Sequence, residues 1–167
     1  MLRLKFPQID YWDEINNRFV TVKETVMELE HSLVSIQEWE SKWHKPFLSK
    51  KPKTTEETLD YIRCMALNDF DPSIYERLTK QHIDEVNEYI QSPMTATTFT
   101  NKQGTTARNG EQITAEIVYY WMVSLNIPME YQYWHFNKLI TLIRVCDVKN
   151  LFLHLSKGVC NPWIKWT

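Results

Sequence analysis

Glycine is almost missing from this chain: its 167 residues include only Gly104, Gly110 and Gly158. That scarcity excludes glycine-rich phosphate loops, whose backbone must approach phosphate closely. Neither a GxSxG nor an HExxH pattern occurs, so two common hydrolase signatures are absent as well. Cysteine is equally sparse. Cys64, Cys146 and Cys160 lie too far apart for a disulfide framework, and a reducing cytoplasm is the expected setting. An excess of one charge is lacking too: 19 Lys and Arg against 21 Asp and Glu leave a formal net charge of −2. A general nucleic-acid binder carries a marked basic excess, so no nucleic-acid partner is expected. No apolar stretch approaches the ~20 residues needed to span a bilayer. The start, "MLRLKFPQIDYWDE", has basic residues with no apolar run behind them, so neither a membrane span nor a signal peptide is expected.

What the chain does have is apolar and aromatic mass. Its length suits one domain, and 43% hydrophobic with 24% charged residues is ordinary for a globular protein and wrong for a disordered one. Aromatics reach 13%, with seven Trp. They concentrate in "IVYYWMVSLNIPMEYQYWHFNKLITLIRVC", residues 117 to 146. Such a band is either helix packing or a site for a ring-bearing ligand, and helical spacing favours packing.

The patterning predicts an α+β, mainly α-helical protein: a small N-terminal hairpin or three-strand element, residues 1–34, then a bundle of about six helices, residues 35–150. "YWDEI" and "RFVTV" flank "NN", residues that tolerate positive φ in a hairpin turn. "VMELEHSL" places Met27, Leu29 and His31 on one side of a third strand. Ser35 and Glu38 have capping-box spacing for a first helix carrying Ile36, Trp39 and Trp43. Thr54 with Glu57 repeats the signature for a second. Asp71-Pro72 opens a short third helix, and Thr79 to Gln91 makes a fourth. Thr114 is the expected cap of a fifth helix with Ile117, Tyr120, Trp121 and Leu125 on one face, widened by Val118 and Met122 so that most of its girth is buried, and ended by Pro128. A sixth, roughly Tyr131 to Asp147, carries Phe136, Leu139, Ile140 and Ile143. These two are expected to form an antiparallel hairpin at the core, burying Trp121 and Trp134. Residues 92–112 are polar and hold two glycines. They read as a mobile loop, most mobile at 100–111, unless "TTFT" and "TTAR" pair as a hairpin.

Little in the sequence points to chemistry. Cys146, His154 and Cys160 match no common zinc spacing and lack a fourth ligand, so no metal or cofactor is expected and no catalytic residue is assigned. A Cys/His enzyme would require a pocket joining His135 to Cys64 or to a carboxylate pair. Lys45, Lys50, Lys51 and Lys53 form a basic run. It reads as a solvated loop, with phosphate or an acidic partner as the alternative occupant.

"LEHSLVSIQEWESKWHKPF" (29–47), "PMTATTF" (93–99) and "ITAEIVYYWMVSLNIPMEYQYWHFNKLITLIRVC" (113–146) resemble small proteins of long-tailed, siphovirus-type bacteriophages that are identified as tail assembly chaperones. The resemblance covers most of residues 26–150. It implies a non-enzymatic role in the host cytoplasm: coating the tape-measure protein, keeping it soluble, recruiting tail-tube subunits, and leaving before the virion matures. A permanent virion component, such as a neck or tail-completion protein, is the alternative. A homo-oligomer is expected, and the resemblance carries no catalytic residues. Such proteins are often made in two lengths by a translational frameshift. The codons of Val148-Lys149-Asn150 suit an A-rich slippery run, so "LFLHLSKGVCNPWIKWT" (151–167) is expected to belong to one of two products. This tail departs from the polar, helical extension of the relatives. Gly158 and Pro162 are expected to keep it from extending the preceding helix, and its apolar surface requires docking. The candidate partner-binding side chains are Trp39, Trp43, Phe152, Leu155, Trp163 and Trp166.

Overall fold

The computed structural model of the protein describes residues 1–15, 17–99 and 112–158, with the backbone alone at 13 and 151–158. Four strands come first: β1 (Leu2–Phe6), β2 (Ile9–Asp13), β3 (Arg18–Val22) and β4 (Thr25–Leu29). β1 pairs with β4 and β2 with β3, both antiparallel. The register does not slip between the two ladders. Phe6 opposes Thr25, and Ile9 opposes Val22, so two residues on each side separate them. Pro7 is one of these and has no N–H to donate, which accounts for the break. The strands therefore form one long ribbon in two segments.

The proximal segment belongs to the core. Leu4, Phe6, Met27 and Leu29 are buried, alternating with Arg3, Lys5 and Glu28 as a half-buried ladder requires. The expected hairpin is present, but its strands stop at Asp13 and resume at Arg18, so the turn takes residues 14–17 rather than "NN" alone. Asn17 supplies the left-handed residue, at φ 49°. β1 adds a strand to the three expected, because five residues without a visible partner are too short a window for periodicity to declare. The outer edge of β4 is bonded to the end of the second helix, through Glu30 N–H to Met65 O at 2.9 Å and Leu67 N–H to Glu28 O at 2.9 Å.

Six helices follow: α1 (Leu33–Trp43), α2 (Thr55–Met65), α3 (Ser73–Glu76), α4 (Lys80–Gln91), α5 (Ala115–Ser124) and α6 (Phe136–Gly158). α1 starts earlier than its Ser35–Glu38 spacing suggests. Ser32 is the N-cap and Ser35 its reciprocal partner, and the short hydroxyls satisfy both backbone donors without Glu38. Thr54 and Glu57 form the capping box expected for α2. α1 is the hub of the bundle. α2 and α5 pack against it, with Leu33, Ile36 and Trp39 buried between them.

α5 buries only part of the surface expected of it. Ala115, Val118 and Met122 are buried while Tyr120 is 68% exposed, and Trp121 is only partly buried. The helix is apolar on nearly every side, so its periodicity selects no face; its N-terminal anchor does. Thr114 makes no side-chain cap. The Glu40 carboxylate on α1 instead accepts the Ala115 N–H at 2.7 Å through Oε2, and the Phe47 N–H at 2.7 Å through Oε1. Glu40 is itself buried. It caps α5 from 75 residues away, at an end where the helix dipole favours negative charge.

α5 and α6 do not make the simple hairpin expected. A 3-10 turn, Met129–Tyr133, intervenes, so α6 begins at Phe136 rather than near Tyr131. Trp134 is only partly buried; it stacks on Tyr131 with ring centroids 4.1 Å apart and lies under Lys138. Phe136, Leu139 and Ile143 carry the buried stripe, as expected. α6 also runs past Asn150 to Gly158, which corrects its expected end and the idea that the tail cannot extend it. No breaker lies between Asp147 and Gly158, so the helical run continues through them. The rest of the tail (159–167) and the loop 100–111, with its expected mobility and possible hairpin, lie outside the described residues.

Two stability measurements check these anchors. Glu40→Gln leaves one good acceptor for two buried donors, so urea unfolding should show a loss of about 1.5–3 kcal/mol. Met122→Ala should cost about 2–5 kcal/mol while Tyr120→Ala stays within about 0.5 kcal/mol. Equal losses for this second pair would mean that α5 turns its aromatic face inward after all.

Candidate interaction surfaces

The distal ribbon is where apolar side chains meet solvent. Trp12 and Phe19 face each other across β2 and β3 in an edge-to-face pair, 4.8 Å between centroids, yet they are 46% and 76% exposed. Tyr11 and Ile9 lie on the reverse face and are exposed too. Thr21 donates to Asp10 at 2.5 Å and fixes the pair beside them. A two-stranded hairpin is marginal by itself in water. This one is held at its base, where Arg77 donates to Pro7 O at 2.5 Å and Phe6 packs edge-on to His82, 4.9 Å between centroids. It forms a braced arm with aromatic rings on a solvent face. Its signal in the sequence is the "YW…F" content of a predicted hairpin with no second apolar layer nearby.

A second exposed patch lies on α5 and the turn that follows, where Tyr120, Val123 and Tyr133 face outward. Of the seven aromatic residues between 117 and 146, only Phe136 is fully buried. The aromatic band is therefore mostly a rim around an aliphatic core rather than the core itself.

The residues expected to bind partners fall elsewhere. Trp39 is 2% exposed and its indole N–H donates to Glu57 O at 2.9 Å, so it is a core residue and offers no docking face. Trp43 is half-buried, stacks on Trp39 and donates to Asp60 Oδ2 at 2.8 Å. Phe152 and Leu155 lie on the last turns of α6, without described side chains. Trp163 and Trp166 lie outside the described residues.

One cluster of titratable groups is sealed in the interior. His31 Nδ1 and the Tyr61 hydroxyl are hydrogen-bonded at 2.5 Å, with Ser35 Oγ at 3.3 Å from the same phenol. His135 lies edge-on to His31, 5.1 Å between centroids. Its Nε2–H donates to Tyr89 O at 3.0 Å and its Nδ1 accepts the Asn137 N–H at 3.3 Å, so the neutral ring already uses both nitrogens. Tyr89 in turn donates to Glu30 at 2.7 Å, and Phe136 N–H to His31 O at 2.6 Å. Burial holds His31 down at about pKa 3, helped by the charges of His135 and Lys53. Burial also lowers His135 and raises Tyr61. These are neutral groups joining the starts of α1 and α6. Cys64 is pushed up to about 11, chiefly by burial, the wrong direction for an activated thiolate.

The surface cavity beside Trp39 is lined by neither His135 nor Cys64. Among the described residues no group of His, Cys, Asp and Glu has metal-ligand geometry, and no helix is long and apolar enough to cross a membrane. Comparison with protein-family models, curated proteins and solved structures finds no match to this chain.

The two histidines set an acid limit. In the unfolded chain each titrates near 6.5, whereas His31 stays neutral in the fold until about pH 3, so the unfolded state binds protons first as pH falls. Stability from this cluster is complete above about pH 7 and is lost progressively from 6.5 towards 3, by up to about 5 kcal/mol for His31. Urea midpoints measured between pH 7 and 4 should fall in this way, and His31→Gln should flatten the slope. An unchanged slope would place the acid sensitivity in the carboxylates instead.

Proposed function

We propose that the chain is a non-enzymatic assembly chaperone of the phage-tail type, which holds a long helical client, the tape-measure protein, and passes it to tail-tube subunits. The observation that carries this reading is the braced β2–β3 arm, with Trp12 and Phe19 exposed on a rigid hairpin. Aromatic side chains on a preorganised element bring large contact area at low ordering cost, as protein-binding surfaces require. The outward Tyr120 and Val123 on α5 add a second apolar surface, and an amphipathic client helix laid along either would bury its own stripe. Support for the identity of the client comes from the three sequence stretches that resemble phage tail assembly chaperones. The setting expected with it is the host cytoplasm, with self-association of the chain.

Co-expression with the tape-measure protein of the same genome should raise that protein's soluble fraction and allow co-purification. The double variant Trp12→Ser, Phe19→Ser should lose both effects while its circular dichroism and melting stay close to wild type, because both rings are solvent-exposed. No gain in client solubility with the wild-type chain sinks the proposal. Mass spectrometry of purified virions separates this role from a permanent neck or tail-completion component, since a chaperone is absent from finished particles.

A further inference from the structure

The loop between α1 and α2, residues 44–54, borders an open cavity of about 310 Å³ beside Trp39. Three lysines, Lys45, Lys51 and Lys53, and one acidic residue, Glu57, are among the residues that line it. That carboxylate is already saturated. It takes Lys45 at 2.6 Å through Oε1 and the Thr54 N–H at 2.8 Å through Oε2, and these bonds hold it below the usual carboxylate range. Lys53 is pinned rather than free: its Nζ donates to Phe47 O at 2.8 Å and sits 4.0 Å from the Phe47 ring centroid. Burial pushes its pKa down, with Glu57 opposing. Lys51 is exposed and reaches the same cavity. Pro46 and Pro52 stiffen the walls, and α2 directs the positive end of its dipole here.

The cavity thus carries more positive charge than its own carboxylate balances, held on a pinned loop and not on a freely solvated lysine face. We propose that it is a binding site for a small phosphoryl oxyanion, either free phosphate or the phosphate of a small monoester. Lysine ammonium groups at three points around a cavity suit a tetrahedral oxyanion that accepts from several directions. Lysine serves as a phosphate ligand through point charge rather than a bidentate fork. The volume lies at the lower end of small-ligand sites. An anion here would offset the desolvation of Lys53 and raise its pKa, so binding should be accompanied by proton uptake at alkaline pH. This site is independent of the assembly role.

The test uses the full chain, titrated with inorganic phosphate and separately with adenosine monophosphate, with chloride at matched ionic strength as control. Saturable change in indole fluorescence, together with amide shifts confined to residues 45–57, is the expected result. Among the described residues Lys51 makes no hydrogen bond or ion pair, and it is exposed, so Lys51→Glu should leave the melting temperature unchanged and weaken binding about tenfold or more. Lys53→Met should abolish the proton uptake. Tighter binding of the monophosphate than of phosphate identifies an ester as the ligand; equal binding identifies free phosphate. A response no larger than that to chloride, or one unaltered in Lys51→Glu, overturns the proposal.

Discussion

The carboxylate of Glu40 is the constraint on which the rest of the arrangement turns. It sits in the last turn of α1, is buried, and accepts two backbone N–H groups that belong to different parts of the chain, Phe47 and Ala115. One bond closes the loop that leads to α2. The other sets both the start and the rotation of α5. A buried charge with two charge-assisted hydrogen bonds is stable in place and costly to strip of either partner. The rotation of α5 in turn decides which residues become surface: with Ala115, Val118 and Met122 inward, Tyr120 and Val123 must face out.

Around this anchor the polar groups of the interior are paired. Among the described residues no buried side-chain nitrogen or oxygen lacks a partner, which is notable in a core that includes His31, Ser32, Ser35, Glu40, Glu57, Asp60 and His135. These groups sit at the seams. His31 and His135 join the start of α1 to that of α6, Asp60 ties α2 to the end of α1 through Trp43 and Lys42, and Glu57 ties the lysine loop to α2. Polar seams of this kind fix which helix meets which, because a mispaired arrangement would strand a buried donor or acceptor. The two solvent-facing features, the aromatic arm and the lysine-lined cavity, are both held by this interior. The arm is an extension of a ribbon whose base is core, and the cavity is bordered by a loop whose lysines are bonded to Phe47 and Glu57.

Local patterns declared most of the elements. The capping pair Thr54–Glu57 and the stripe Phe136–Leu139–Ile143 are short-range physics, legible within a few residues. The hairpin of β2 and β3 was legible for the same reason, as was the basic run that lines the cavity. What failed was whatever depended on a distant partner. β1 needs β4, over twenty residues away. Trp39 looked like a docking residue until α2 and the lysine loop covered it, and the first part of the tail proved to continue α6.

The sequence by itself therefore determined the class of protein, mainly helical with a small antiparallel β element, because hydrophobic period and capping chemistry act over one or two turns. Tertiary structure alone decided the faces. α5 is apolar nearly all round, so no periodicity in its residues could say which side is buried. A carboxylate contributed from α1 made that choice by capturing the Ala115 N–H, and the exposed aromatic surface is its consequence.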